Sequence, residues 1–268
     1  MTYKEALHYL IFSYRLDFDP AGLIFVPNSC NPDNLPVSHT TRNKLTFCQY
    51  ITAARQARYS LFMPMKRVLC KNAQLVFGFR NIEDATDKKA HIKYLIDPEL
   101  SLQAAKDKAQ LPTDQYQGVF VAPVDTFDTL KQTPDLVYLM VLPFQGYHIL
   151  NDYMAATGKT HLDFRHTPNS AVCGGCVWSY LNRTANMNTM CAGSKASGKT
   201  EMGYMNLVLP GPDFLPTVEQ SRRREAANGG TSLVGRGDHP WPGLDSCQGC
   251  PIFRFDPVDS ASTPSPCS

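Results

Sequence analysis

No stretch of this chain carries the roughly 20 consecutive apolar residues that a membrane-spanning helix needs, so no membrane association is expected. Neither sign of charge dominates. The 26 Lys and Arg residues and 24 Asp and Glu residues are mostly interspersed and leave a net charge of +2, which gives no broad basic field for nucleic acid or an anionic membrane. Internal repeats are also lacking. The start, Met1 to Phe12, has an early acid and no basic segment followed by a small-residue cleavage site, so it reads poorly as a secretory signal. A cytoplasmic protein is the expectation. In a reducing compartment the nine cysteines should be thiols rather than a disulfide framework, which turns attention to metal, cluster or catalytic use.

What is present suffices for a real core: 268 residues, 43% hydrophobic and 19% charged. Helical spacing of Leu7, Leu10, Ile11 and Tyr14 predicts an opening helix, and Gly22 to Val26 a buried strand stopped by Pro27. A second helix is expected from a cap at Thr40 or Thr41 to about Arg58, carrying Cys48 inward. A strand over Tyr59 to Met63, a helix over Lys71 to Phe79 beginning near Cys70, and a surface helix over Asp97 to Gln110 follow. Gly118 to Ala122 and Asp135 to Leu142 are the clearest strands, the second so apolar that both its faces must be buried. Pro143 then opens a helix that Gly158 closes. A short strand at Leu162 to Phe164, a helix over Val172 to Leu181 and a strand over Gly203 to Pro210 complete the pattern. These elements predict an α/β or α+β fold: a single domain over residues 1–220 with a mixed β-sheet flanked by helices. Residues 221–268 are rich in Arg, Gly, Pro and Ser, and read as a low-complexity, disordered tail.

Chemistry concentrates between Ala171 and Thr200. Gly193-Ser-Lys-Ala-Ser-Gly-Lys199-Thr200 matches the phosphate-loop pattern, in which backbone N–H groups wrap phosphates, Lys199 meets the terminal ones and Thr200 meets a metal ion. The context fails: polar residues precede it and a strand follows, so nucleotide binding at 193–200 is the minor alternative. Cys173-Gly-Gly-Cys176 has redox-dithiol spacing but lacks the early strand such a motif follows. Cys247 and Cys250 would complete a zinc pattern, yet the pairs stand much farther apart than in a compact zinc module. His148, His161, His166 and Asp163 are weaker candidates, with no placed nucleophile to make a triad.

The more informative set is dispersed. Cys48, Cys70, Cys173 and Cys191 occur one per predicted helix or loop, and four soft thiolates brought together by folding would suit an iron–sulfur cluster or zinc. Spacing alone does not make them converge. Phe47-Cys48 with its Ala-rich continuation, Cys70 before Val76-Phe77-Gly78, Pro134 to Leu139 before a proline-led helix, Val172-Cys173, Cys191-Ala-Gly and the Glu201 to Pro210 ending together resemble the domain of unknown function 169 family, over about residues 20–218. That resemblance implies metal or iron–sulfur binding through Cys48, Cys70, Cys173 and Cys191, with Cys176 additional. It also implies that residues 193–200 are a turn rather than a nucleotide loop. Lys71 and Asn72 stand where the family has small residues, and the tail has no counterpart.

The expectation is therefore a cysteine-ligated metalloprotein, an iron–sulfur cluster or alternatively zinc held by Cys48, Cys70, Cys173 and Cys191, in a redox or sulfur-linked role. An unknown small molecule or redox partner would complete the system. The alternative class is a non-enzymatic small-molecule or protein-binding module whose cysteines are packed core residues.

Overall fold

The run Leu136 to Val141 has almost nothing to offer water, and that fixes the architecture. In the computed structural model, which describes residues 1–80, 96–198, 200 and 203–227, this strand is buried along its whole length. Chain order is α1 (Tyr3–Ser13), β1 (Ala21–Pro27), α2 (Phe47–Ala57), β2 (Leu61–Pro64), α3 (Lys71–Val76), α4 (Pro98–Lys106), β3 (Tyr116–Pro123), α5 (Thr126–Leu130) and β4 (Leu136–Val141). Then come α6 (Pro143–Thr157), α7 (Ala171–Asn182), β5 (Asn186–Thr189), α8 (Ala192–Gly198), β6 (Met205–Pro210) and α9 (Gly211–Ala227). The strands form one six-stranded sheet in the order β2-β3-β1-β4-β6-β5. Every strand pairing is antiparallel, so between the two expected classes the fold is α+β.

Because side chains alternate across a strand, β4 feeds two cores. Leu136, Tyr138 and Met140 point to a layer built by α2, α3 and α7; Val137, Leu139 and Val141 point to one built by α1, α6 and α9. The result is helices on both faces of an antiparallel sheet. Cys173 and Cys176 belong to the first layer, and Cys48 and Cys70 pack against it.

Local differences from expectation have local causes. The second helix starts at Phe47, not after Thr41, because Thr46 and Gln49 form a reciprocal capping box: Thr46 Oγ1 accepts the Gln49 N–H at 3.3 Å and Gln49 Oε1 accepts the Thr46 N–H at 2.8 Å. The third helix ends at Val76, short of Phe79, as the chain turns through Gly78 at φ +68°. Leu162 to Phe164 forms no strand. Beyond Pro210 the chain enters α9 and stays helical through Ala227, so residues 221–227, expected in the tail, are structured; the remaining tail, 228–268, lies outside the described residues.

That helix persists because it completes a buried ionic cluster on the face away from the cysteines. Asp152 is 2% exposed; Arg224 donates to it from Nε at 2.8 Å and from Nη2 at 2.7 Å, Ser221 Oγ donates at 2.6 Å, and the Tyr14 hydroxyl also donates. A bidentate guanidinium with two hydroxyls satisfies the carboxylate that burial would otherwise penalise. Arg224→Met strands that charge. We expect it to lower unfolding free energy in denaturant titrations by about 2–3 kcal/mol, less than for a wholly buried pair because Arg224 is 24% exposed. An unchanged midpoint would show that α9 is not held this way.

Candidate functional site

Four helix starts supply the thiols of interest. Cys48 is the second residue of α2, Cys70 is the N-cap of α3, Cys173 lies in the first turn of α7, and Cys191 immediately precedes α8. Thr46, the cap of α2, lies 3.2 Å from Ser197 in the last turn of α8 through their hydroxyls, which ties two of these helices together. A third joins through Cys191, whose sulfur takes a hydrogen bond from the backbone of Ala171, the first residue of α7. At Gly175 an added Cβ would stand 2.9 Å from Asn186 Nδ2 and 3.2 Å from Asn188 Nδ2, so a side chain there would lift α7 off β5. The second glycine of Cys-Gly-Gly-Cys thus serves packing.

Among the described residues, folding brings the dispersed cysteines into one electrostatic neighbourhood without setting three of them close enough to share a metal ion. Cys48 is within electrostatic reach of Cys173, Cys191, Cys70 and Cys176, and Cys173 within reach of Cys70 and Cys191. All are free thiols, and the tail pair Cys247 and Cys250 lies outside the described residues. Burial first, then the neighbouring sulfurs, push the Cys48, Cys173 and Cys176 thiols well above the ordinary range. Cys191 differs. Burial acts upward on it too, but hydrogen bonds from Ser194 and from the backbones of Ala171 and Gly193 outweigh it and hold the thiol below its ordinary value; the Ser194 N–H reaches the sulfur at 3.4 Å.

Two buried cations, Lys108 and Arg55, attend the cluster. Lys108 is 4% exposed, donates from Nζ to Asn72 Oδ1 at 2.9 Å, and faces Cys173, Cys70 and Cys191; burial lowers its pKa to about 8 while those sulfurs act upward. Asn72 is thus the lysine's anchor. Arg55, on α2 beyond Cys48, is 3% exposed and within reach of the Cys48 sulfur. Helical spacing already sets Ala54 or Arg55 on the side of α2 that carries Cys48, whereas only the fold reveals that Lys108 is buried.

The chemistry of the donor set suits a soft metal or cluster: four thiols, backbone N–H groups aimed at one of them, and buried cations to offset negative charge. Its spacing does not yet do so. Among the described residues no three His, Cys, Asp or Glu side chains lie close enough together to hold a metal ion as they stand. Binding would require the thiols to turn inward.

The phosphate-loop reading is corrected. Residues 193–198 belong to the helix α8 and cannot wrap a phosphate, and Lys199 lies outside the described residues. Beside Cys191 there is instead a cavity of about 400 Å³ lined by Cys191, Lys195, Thr200, Tyr204 and Met190 among others. His148 lies across the sheet near Arg224 and Asp152, so it is not part of the thiol site. Among the described residues no helix is long and apolar enough to cross a membrane.

A family model described as DUF169, Uncharacterised ArCR, matches residues 10–220. That span holds all four thiols, Arg55 and Lys108. Neither the curated proteins nor the solved structures give a match.

The contrast in thiol environments predicts an order of modification. In native protein treated with iodoacetamide, peptide mapping should find Cys191 alkylated before Cys48, Cys173 and Cys176, with its rate rising at lower pH than that of a free thiol because its thiolate is the stabilised form. Equal rates at Cys176 and Cys191 would refute the assignment.

Proposed function

We propose, from the premise that the chain belongs to the DUF169 family, that it is a cysteine-ligated metalloprotein whose thiols Cys48, Cys70, Cys173 and Cys191 hold an iron–sulfur cluster. The observation that carries this reading is the gathering of thiols from four separate helix starts into one electrostatic neighbourhood. A bound cluster would supply one-electron or sulfur-linked chemistry. The chain's own part is to orient the sulfurs, keep water from them and balance their charge. Lys108 offsets the negative charge of thiolates, and the N–H groups around Cys191 stabilise its thiolate before any metal arrives. With only three cysteines engaged, one position would stay open for a substrate.

Zinc is the alternative metal for the same donors, since tetrahedral thiolate sites accept it. A second reading, a binding module with packed cysteines, draws on Cys176, which is fully buried within the apolar layer, and on thiol spacings that do not yet ligate.

Anaerobic purification and reconstitution with ferrous iron and sulfide, followed by visible absorption and iron, zinc and sulfide analysis, tests the proposal. Coloured protein with iron and sulfide in matching amounts is expected, with both lost in Cys48→Ser and Cys173→Ser and kept in Cys30→Ser. Folded wild-type protein that stays colourless and metal-free would leave the binding-module reading; colourless protein carrying zinc would change the metal and retain the ligands.

A further inference from the structure

Asp135 is a carboxylate that the fold largely buries and leaves without a cation. It stands just before β4, with its backbone fixed on two sides: its N–H donates to the Leu23 carbonyl and its own carbonyl accepts from the Gly211 N–H, both at 2.8 Å. Its Oδ2 accepts the Phe25 N–H of β1 at 2.7 Å. Among the described residues no ion pair and no other hydrogen bond reaches the carboxylate. Burial raises its pKa, and the one opposing influence is that Phe25 N–H, not a positive charge. The contrast with Asp152, which Arg224 grips from two nitrogens, is direct. A buried carboxylate without a counter-charge is costly.

Asp135 lines a cavity of about 680 Å³, within the size range of small-molecule sites. Three segments enclose it: the entry to β4, the end of α7 and the junction of β6 with α9. Pro134, Pro210 and Pro212 stiffen two of these walls, and a Cβ added to Gly211 would collide with the Pro134 carbonyl, so the junction is seated directly on the entry. A cavity walled in this way is formed before any ligand arrives. Tyr180 lines it within electrostatic reach of Asp135, and Leu181, 47% exposed, adds an apolar rim. Asp213 lines it too, but Lys159 and a hydrogen bond with Tyr153 already answer that carboxylate. The cation of the lining is Arg183, exposed and left-handed at φ +48°, which acts on Tyr180 and not on Asp135.

We propose that this cavity binds a small organic ammonium ion, its positive end against Asp135 and its carbon skeleton along Tyr180, Leu181 and the prolines. Oδ2 is committed to β1, which leaves one oxygen for the ligand. That suits the point charge of an ammonium better than the fork of a guanidinium, which pairs with both oxygens of a carboxylate. An aromatic ring attracts the same charge. The site shares α7 with the thiols but uses none of them, so it stands apart from the metal reading.

Titration calorimetry and thermal melts on full-length protein test this with butylammonium, compared with butyrate, butylguanidinium and sodium chloride at equal ionic strength. Butylammonium should bind and raise the melting temperature, butyrate should do neither, and butylguanidinium should bind more weakly. Asp135→Asn keeps an acceptor for the Phe25 N–H, so the unliganded variant should melt at or above wild type while butylammonium binding falls roughly 10- to 100-fold. Arg183→Gly removes the opposing charge at a backbone conformation that glycine adopts freely, and should tighten binding roughly two- to fivefold. No binding of butylammonium, equal or better binding of butyrate or butylguanidinium, undiminished binding to Asp135→Asn, or unchanged or weaker binding to Arg183→Gly would each overturn the proposal. So would an unliganded Asp135→Asn protein that melts well below wild type, since the carboxylate would then be serving the fold.

Discussion

Everything in this molecule follows from the need to cover both faces of β4. Its alternating side chains, with Leu136, Tyr138 and Met140 on one side and Val137, Leu139 and Val141 on the other, demand a helical layer each. One layer takes the two ends of the described chain, α1 and α9. The other takes α2, α3 and α7, and with them the thiols. Hydrophobic burial thus decides which helices share a side, and that choice brings Cys48, Cys70 and Cys173 into the same neighbourhood although 125 residues separate the first from the last.

Within the thiol layer, burial and polarity work against each other. Low-dielectric surroundings keep Cys48, Cys173 and Cys176 protonated, whereas donors around Cys191 favour its ionised form. Lys108 gives the layer a positive charge at a group that burial has made easy to discharge. Such a set resists charging while empty and gains most from an occupant that takes the thiol protons away, so ligand uptake and proton release are linked.

Much of the architecture was legible in the residues. Apolar periodicity announced α1, β1, β3, β4 and β6, and Pro143 with Gly158 framed α6 at both ends. The exceptions are instructive. Thr40 and Thr41 compete with Thr46 as caps by residue type, but only Thr46 has a glutamine three residues on, the capping-box spacing that the fold uses. The extension of α9 was hidden by composition: Arg222, Arg223 and Arg224 look like a solvated charge run, but Arg224 turns inward to a buried aspartate in a different helix. Cys48, Cys70, Cys173 and Cys191 were singled out because they occur one per predicted helix or loop, and Arg55 falls on the inward side of its helix by spacing, whereas nothing local marks Lys108 as a charge that long-range packing will bury.

The clamp that joins α1 to α9 also sets a schedule for the chain. Tyr14 and Arg224 stand 210 positions apart, so this contact cannot form until nearly all the described residues have been synthesised, and closing so long a loop is slow. Until then the face of β4 that carries Val137, Leu139 and Val141 has α1 and α6 over it but lacks its third helix, so this side of the sheet is the last to be sealed.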